Sequence, residues 1–165
     1  VLQNYQTALK WYRLAAKQGV VPSHTNLGRM YENGKGVSKN YETAVKWYKT
    51  AAGKGSANAQ YNLGLMYHNG KGVTQNDKTA VRWYKLSARQ GLPLAQGNLG
   101  GHYAFGTGIS KNFVEAYKWG TIADNNGNKN GAKVKEFVAK QMTPTQIAEA
   151  QKLARECVKK NYKDC

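Results

Sequence analysis

The stretch Ala44-Val45-Lys46-Trp47-Tyr48-Lys49-Thr50-Ala51-Ala52 decides the fold, because the chain repeats its pattern four times. The tryptophans of the protein lie 36 residues apart, and they are Trp11, Trp47, Trp83 and Trp119. Gly-x-Gly loops at 34–36, 70–72 and 106–108 keep the same step. A fixed period of this length is typical of a solenoid, in which each unit buries its apolar face only against its neighbours.

Each repeat is predicted to contain two helices. In the quoted stretch, the apolar positions fall at i, i+3, i+4, i+7 and i+8, which is one face of an amphipathic helix. Asn40 is expected to cap this second helix, and the Gly-x-Gly loop is expected to end the first one in the left-handed conformation. First helices are expected near residues 22–33, 57–69 and 93–105, and second helices near 77–90 and 113–125.

The sequence therefore predicts an all-α fold, a right-handed α/α solenoid of about four and a half 36-residue repeats with a C-terminal capping helix. We expect residues 1–165 to form a single domain. It begins with a half repeat at 1–19, continues with full repeats at 20–55, 56–91 and 92–127, and ends with a degenerate repeat and cap at 128–165. Thr143-Pro144-Thr145-Gln146 is a capping box with proline at the first helical position. The helix of residues 1–19 lacks a preceding partner, so we expect a longer array or a neighbouring chain to cover it.

A glycine is expected inside each first helix, at Gly28, Gly64 and Gly100. Glycine costs a helix interior about 1 kcal/mol relative to alanine. Its recurrence therefore predicts a close approach that leaves no room for a Cβ. The tryptophans and tyrosines are expected to point into this core and not to form an aromatic cage for a ligand.

The chain is strongly basic, with 25 Lys and Arg against nine Asp and Glu and a net charge of +16. This balance favours acidic partners, which include nucleic acid, anionic lipid or glycan, and the acidic face of a protein. The 36-residue step is expected to align the cations in two surface rows, Lys10, Lys46, Arg82 and Lys118 in one and Arg13, Lys49 and Lys85 in the other. A solvated outer face and a surface for a polyanion both fit these rows. Aromatic residues do not alternate with these cations, which argues against binding of single-stranded nucleic acid.

The two cysteines, Cys157 and Cys165, lie close together near the end of the sequence. We expect a disulfide that ties the tail to the last helix, which would imply an oxidising compartment. Two free thiols in the cytosol are the alternative. No run approaches 18 apolar residues, so no transmembrane segment is predicted.

Motifs that carry chemistry are missing. The sequence contains no Ser-x-x-Lys, Gly-x-Ser-x-Gly, His-Glu-x-x-His or phosphate-loop pattern. The Gly-x-Gly loops lack the preceding strand that dinucleotide binding requires. His24, His68 and His102 occupy different positions of the repeat and form no ladder. We therefore expect neither an enzyme nor a cofactor, and no metal site.

The combination of Ala-x-x-Trp-Tyr-x-x-Ala-Ala, Leu-Gly-x-x-Tyr and Gly-x-Gly-Val at a 36-residue step resembles the Sel-1-like repeat family, which is related to the tetratricopeptide repeat. The resemblance extends over residues 1 to about 131, and 143–151 resembles the cap of bacterial members. It implies a non-enzymatic protein–protein adaptor whose first helices line a concave side. It also implies that the protein is secreted or periplasmic, with a cytoplasmic location as the alternative. Bacterial members act in host interaction, envelope signalling or neutralising of toxic effectors. A cysteine-rich branch linked to penicillin binding has bridges within each repeat, and this chain lacks them.

We expect the partner to be an acidic protein that binds the groove of the first helices. Positions of these helices that lie off the core stripe are the candidate contacts, namely Asn26, Arg29, Tyr61, Asn62, Leu65, Asn98 and His102. The alternative is a polyanion- or envelope-binding protein that acts through its basic rows. Resistance of binding to salt would separate the two, because binding by charge alone falls steeply with ionic strength.

Overall fold

The 36-residue pattern folds into successive helices joined by short loops. A computed structural model describes residues 2–163 and 165, with side chains from residue 4 onward. Within these residues every regular element is a helix. The helices are α1 Leu2–Lys17, α2 Val21–Asn33, α3 Tyr41–Gly53, α4 Ala57–Asn69, α5 Asp77–Ala88, α6 Pro93–Phe105, α7 Phe113–Asn125, α8 Lys129–Ala139 and α9 Pro144–Lys159. The predicted all-α repeat fold and its capping helix are confirmed.

The helices group into two compact units, Val1–Asn76 and Asp77–Cys165. In the first unit, each of α1, α2 and α3 packs against the helix that follows it. In the second unit, α5 packs on α6, while α7 contacts α6, α8 and α9. No helix in the described part of the chain is long and apolar enough to cross a membrane.

The helix ends are set by the residues that the sequence singled out. Gly34, Gly70 and Gly106 adopt the left-handed conformation and end α2, α4 and α6, which glycine does without a Cβ penalty. The Asn40 side chain accepts a hydrogen bond from the Thr43 amide at 2.8 Å and caps α3. At α9 the predicted capping box is formed in full.

The second glycine of each loop brings the loop onto the start of an earlier helix. A Cβ at Gly72 would lie 2.4 Å from the Tyr41 carbonyl carbon, and one at Gly108 would lie 2.4 Å from that of Asp77. Both glycines also have positive φ. The Gly-x-Gly motif is therefore required twice over, once to end a helix and once to let two backbones touch.

The glycine inside α2 makes the close approach that the sequence predicts. A Cβ at Gly28 would lie 2.4 Å from the Tyr48 ring of α3. That ring is fully buried, and its hydroxyl donates a 2.6 Å hydrogen bond to Glu32 Oε2, so it has little freedom to move aside. In the second unit, a Cβ at Gly100 would lie 3.3 Å from the backbone of α7.

The tryptophans do not all point into the core as expected. Trp119 is 2% exposed, whereas Trp11 is 65% exposed. Trp47 of α3 packs edge-on against His24 of α2, with 5.7 Å between ring centroids.

The C-terminal tail is fastened to the second unit at several points. Cys157 and Cys165 form the predicted disulfide, with 5.4 Å between their Cα atoms. The Tyr162 ring lies over Gly91, where a Cβ would come within 2.9 Å of it. Asn126 Nδ2 donates a 3.1 Å hydrogen bond to the Tyr162 hydroxyl. The tail is therefore held by packing and hydrogen bonding as well as by the covalent link.

Substitution of Gly28 by alanine should lower the free energy of unfolding by about 1–2 kcal/mol, because the added methyl group overpacks the Tyr48 ring. Gly101 is the matched control, since it lies inside α6 with open space around its Cβ position. Gly101→Ala should raise the stability by about 0.5–1 kcal/mol through helix propensity. Urea denaturation of the two variants measures both effects. Equal stabilisation by the two alanines would contradict the close approach.

Loss of the disulfide should lower the free energy of unfolding by about 2.5 kcal/mol. This is the loop-closure entropy, expressed as free energy, for two cysteines with a sequence separation of 8. Cys165→Ala removes the bridge, and urea denaturation gives the difference. Reductant should bring the wild type to the level of this variant and leave the variant unchanged. A wild type that keeps its stability after complete reduction would contradict a stabilising role.

Candidate functional site

A groove of about 190 Å³ lies between α1 and α2 in the first unit. Its walls carry aromatic, amide and cationic side chains from both helices and from the loop after α2. The lining residues are Tyr5, Ala8, Tyr12, Asn26, Arg29, Met30, Asn33 and Lys35. Aromatic surface, amides and cations together are the groups that hold an extended acidic peptide.

Helical spacing accounts for the composition of the groove. Tyr5, Ala8 and Tyr12 lie at i, i+3 and i+7 of α1, so they share one face. The short side chain of Ala8 leaves space between the two rings. On α2, Asn26, Arg29 and Asn33 share the opposing face in the same way. The groove therefore results from two helix faces that are separated in sequence by a tight turn.

Two cations give the groove its positive charge. Arg29 is exposed on α2, and Lys35 is exposed in the loop that follows. Lys35 Nζ lies 5.3 Å from the centroid of the Tyr5 ring, a cation–π distance. Among the described residues no acidic side chain pairs with either cation. Both are thus available to an anionic ligand.

The carboxylate nearest in sequence is turned to another partner. Glu32 accepts the 2.6 Å hydrogen bond from the Tyr48 hydroxyl of α3. Burial raises the pKa of Tyr48 well above its usual value, and the hydrogen bond and negative charge of Glu32 raise it further. Tyr48 therefore remains a hydrogen-bond donor and holds Glu32 on the α3 side of α2.

The same framework recurs one repeat later, between α3 and α4. Lys71 Nζ lies 5.5 Å from the Tyr41 centroid, as Lys35 lies over Tyr5. Asn69 Nδ2 donates to the Leu65 carbonyl at 2.9 Å, as Asn33 Nδ2 donates to that of Arg29 at 2.8 Å. The difference is that Leu65 occupies the position of Arg29. The groove between α1 and α2 thus has one additional cation, and its Tyr12 is half-buried where the counterpart Tyr48 is fully buried against α2.

The structure brings together two of the predicted groove residues, Asn26 and Arg29. Tyr61, Asn62 and Leu65 are half-buried on α4 of the same unit, and Asn98 is half-buried on α6 of the second unit.

His102, which was expected to line the groove, is 7% exposed, and this expectation is wrong. Its Nδ1 lies 2.7 Å from the Thr107 carbonyl, and its ring packs 5.3 Å from that of Tyr84. The physical reason is its position in the repeat, because the residues 36 and 72 positions earlier are the buried Met66 and Met30.

Six lining residues were not among the predicted contacts, namely Tyr5, Ala8, Tyr12, Met30, Asn33 and Lys35. All six have counterparts of the same type 36 residues later, at Tyr41, Ala44, Tyr48, Met66, Asn69 and Lys71. That repetition was the available signal. The repetition alone does not show the function of a residue, because a repeated residue can pack in the core or line a groove. The packing of the helices is needed to tell the two apart.

Only some of the cations in the two basic rows lie at the protein surface. Lys10, Lys46 and Arg82 are exposed as expected. Lys118 is 4% exposed, so its assignment to a surface row is wrong. Its Nζ pairs with Glu115 Oε1 at 2.7 Å and reaches the Cys165 carbonyl at 3.4 Å, because the tail covers this part of α7.

Cations of the second row contact tyrosines of the following helix. Arg13 donates a 2.8 Å hydrogen bond to the Tyr31 hydroxyl. Lys85 Nζ lies 5.5 Å from the centroid of the Tyr103 ring. These two cations therefore link successive helices, and this structural use reduces the number of charges that the row offers to a partner.

The repeats match known proteins. The family model described as Sel1 repeat matches residues 1–20, 21–56, 57–92 and 93–128. The crystal structure of c5321, a protective antigen present in uropathogenic Escherichia coli strains displaying an SLR fold, is similar with a TM-score of 0.71 and 28% identity. That match covers 93% of this chain and 42% of the antigen, so the chain spans less than half of its length. A Sel1 repeat protein from Oxalobacter formigenes is 35% identical with a TM-score of 0.71, and the match covers 78% of this chain and 96% of that one. No curated protein matches the sequence.

The Tyr48–Glu32 pair predicts a loss of stability in alkali. The folded-state pKa of Tyr48 is raised above its unfolded value of 10.0, so its contribution is complete below pH 10 and is lost as the pH rises further, because only the unfolded chain then ionises. The wild type should lose up to about 1.4 kcal/mol per pH unit relative to Tyr48→Phe above that pH. Urea denaturation at a series of alkaline pH values measures the difference. A constant difference between the two proteins would contradict the raised pKa.

Proposed function

Because the chain belongs to the Sel1 repeat family, we propose that it is a non-enzymatic interaction module whose α1–α2 groove binds an acidic segment of a partner protein. Sel1 repeat proteins are generally scaffolds for protein–protein interactions. The repeats themselves do not define a partner, since the same scaffold serves many functions. The identity of the ligand must therefore be inferred from the groove.

The exposed Arg29 at the groove carries the proposal. Its guanidinium can hold a carboxylate through two parallel hydrogen bonds, a geometry that lysine cannot offer. Lys35 adds a second positive charge in the loop that follows α2. Asn26 and Asn33 provide amides that can pair with the peptide backbone of a ligand. An extended segment with an Asp or Glu side chain, or with a free C-terminal carboxylate, fits this set of groups.

The tyrosines supply the apolar part of the interface. Tyr5 and Tyr12 are half-buried and present ring surface to the groove. Rigid aromatic surface beside an arginine is the composition in which most interface binding energy is concentrated. The ligand segment is therefore expected to combine an acidic residue with an apolar side chain next to it.

The remaining charge acts at longer range. A net charge of +16 attracts an acidic protein during diffusion and raises the association rate at low salt. Exposed Lys10, Lys46 and Arg82 contribute to this field. These same residues support a second candidate function, in which a polyanion or anionic envelope component binds by charge alone.

The cysteine pair supports a cellular setting for this function. Disulfides persist in oxidising compartments, and Cys157 and Cys165 are bonded in this structure. We propose that the protein acts in the periplasm or after secretion. Neutralising of an effector or binding at the envelope are the roles that this location would favour for a basic interaction module.

Charge reversal at two positions of the first unit separates the groove from the basic rows. Arg29→Glu should weaken binding of a synthetic acidic peptide at least tenfold, because it replaces the guanidinium that holds the carboxylate by a negative charge that repels it. Lys46→Glu is the matched control, since it changes the net charge equally on the exposed face of α3. Isothermal titration calorimetry at low and high salt measures both affinities. An equal loss in the two variants, with binding abolished by salt, would overturn the groove proposal in favour of polyanion binding.

A further inference from the structure

A second groove, of about 500 Å³, lies between α7 and α9 in the second unit. It is lined by one turn of α7 and two turns of α9. The lining residues are Thr121, Ile122, Asn125, Gln151, Ala154, Arg155, Val158 and Lys159. Its volume falls in the range of sites that bind defined ligands.

The floor of this groove is apolar and its rim is cationic. Ile122 and Ala154 are buried beneath it, while Val158 remains 45% exposed. Arg155 and Lys159 are exposed and lie one turn apart on α9. An apolar strip beside a pair of exposed cations requires a ligand that is apolar on one side and anionic at its edge.

Thr121 marks the place where the repeat has changed. Its counterparts 36 and 108 residues earlier are Lys85 and Arg13, which contact a tyrosine of the next helix. The counterpart of that tyrosine is Ala139, so the cation and its aromatic partner are both replaced by smaller residues. Within the described part of the chain, the buried Thr121 Oγ1 has no hydrogen-bond partner. Such a group is rare in native structures.

We propose that the α7–α9 groove binds an amphipathic helix of a partner protein, with apolar side chains in the groove and acidic side chains toward Arg155 and Lys159. The residues from α9 fall at i, i+3, i+4, i+7 and i+8, which spans about 12 Å along the helix. Two apolar side chains one turn apart on an incoming helix fit this length. Helix-in-groove recognition uses such i and i+4 anchors.

This site differs in chemistry from the groove between α1 and α2. That groove has two cations, two amides and tyrosine rings, and suits an extended acidic segment. The α7–α9 groove has an aliphatic floor and needs apolar anchors as well as charge. The second site stands independently of the first, because it lies in the other unit and shares no residue with it.

The test uses the full chain and an end-blocked synthetic peptide of about four helical turns, with leucine along one face and glutamate along the other. Binding should shift the amide resonances of Thr121 and Val158 in two-dimensional NMR spectra. Val158→Asp should weaken the affinity at least tenfold, because a charge then lies in the apolar floor. Arg155→Glu should weaken it by a similar factor, whereas Lys152→Glu, an equal charge reversal at an exposed site of α9 outside the groove, should change it less than twofold.

Three outcomes would overturn the proposal. The first is a scrambled peptide of the same composition that binds as well as the amphipathic one. The second is equal weakening by Arg155→Glu and Lys152→Glu, which would show attraction by net charge alone. The third is dodecanoate shifting the same resonances while the peptide does not, which would assign the groove to small amphiphiles. Shifts of Thr121 and Val158 report on this groove alone, since neither residue lines the groove between α1 and α2, so failure at one groove is distinguishable from failure at the other.

Discussion

The contact between Gly28 and the Tyr48 ring sets the distance between two neighbouring helices, and the surface of the first unit depends on it. A Cβ has no room there, so α2 lies directly on a buried tyrosine of α3. The Tyr48 hydroxyl in turn holds Glu32. One face of α2 thus packs in the core, and the hydrogen bond from Tyr48 holds the Glu32 carboxylate on that side. The adjacent face carries Asn26, Arg29 and Asn33, which are polar or cationic, and these residues form one wall of the groove against α1.

The helix bounds could be predicted closely because local chemistry determines them. Left-handed glycines, asparagine caps and a capping box act within a few residues, so they leave a direct trace in the sequence. Burial was harder to predict where one residue type changes function along the array. His102 sits in a core position that methionine holds in earlier repeats, and Lys118 is covered by a tail that the repeat pattern does not contain. Both errors came from assigning exposure by residue type when position in the repeat and the cap decide it.

The candidate grooves could be predicted only in part, because each forms between two helices at a place where small side chains leave space. Asn26 and Arg29 were identifiable as positions off the core stripe of α2. Their combination with Tyr5 and Tyr12 depends on the small side chain of Ala8, which opens the space between the rings. For the α7–α9 groove, the sequence signal was the replacement of residues found in the earlier repeats. Thr121 stands in place of a cation, and Ala139 stands in place of a tyrosine. A search for functional residue types does not detect a site that is created by removing them.

Both grooves lie where this chain departs from its own repeat, and this has a physical cause. Positions such as Gly28 and Gly72 are fixed by contacts in which a single methyl group would clash. Exposed positions carry no such constraint, because most surface substitutions change stability by less than about 0.5 kcal/mol. Arg29 in place of the leucine found at position 65 therefore alters the charge of a groove without altering its frame. The exchange at Thr121 differs, since it leaves a buried hydroxyl without a partner, a cost of about 1–3 kcal/mol in the free protein.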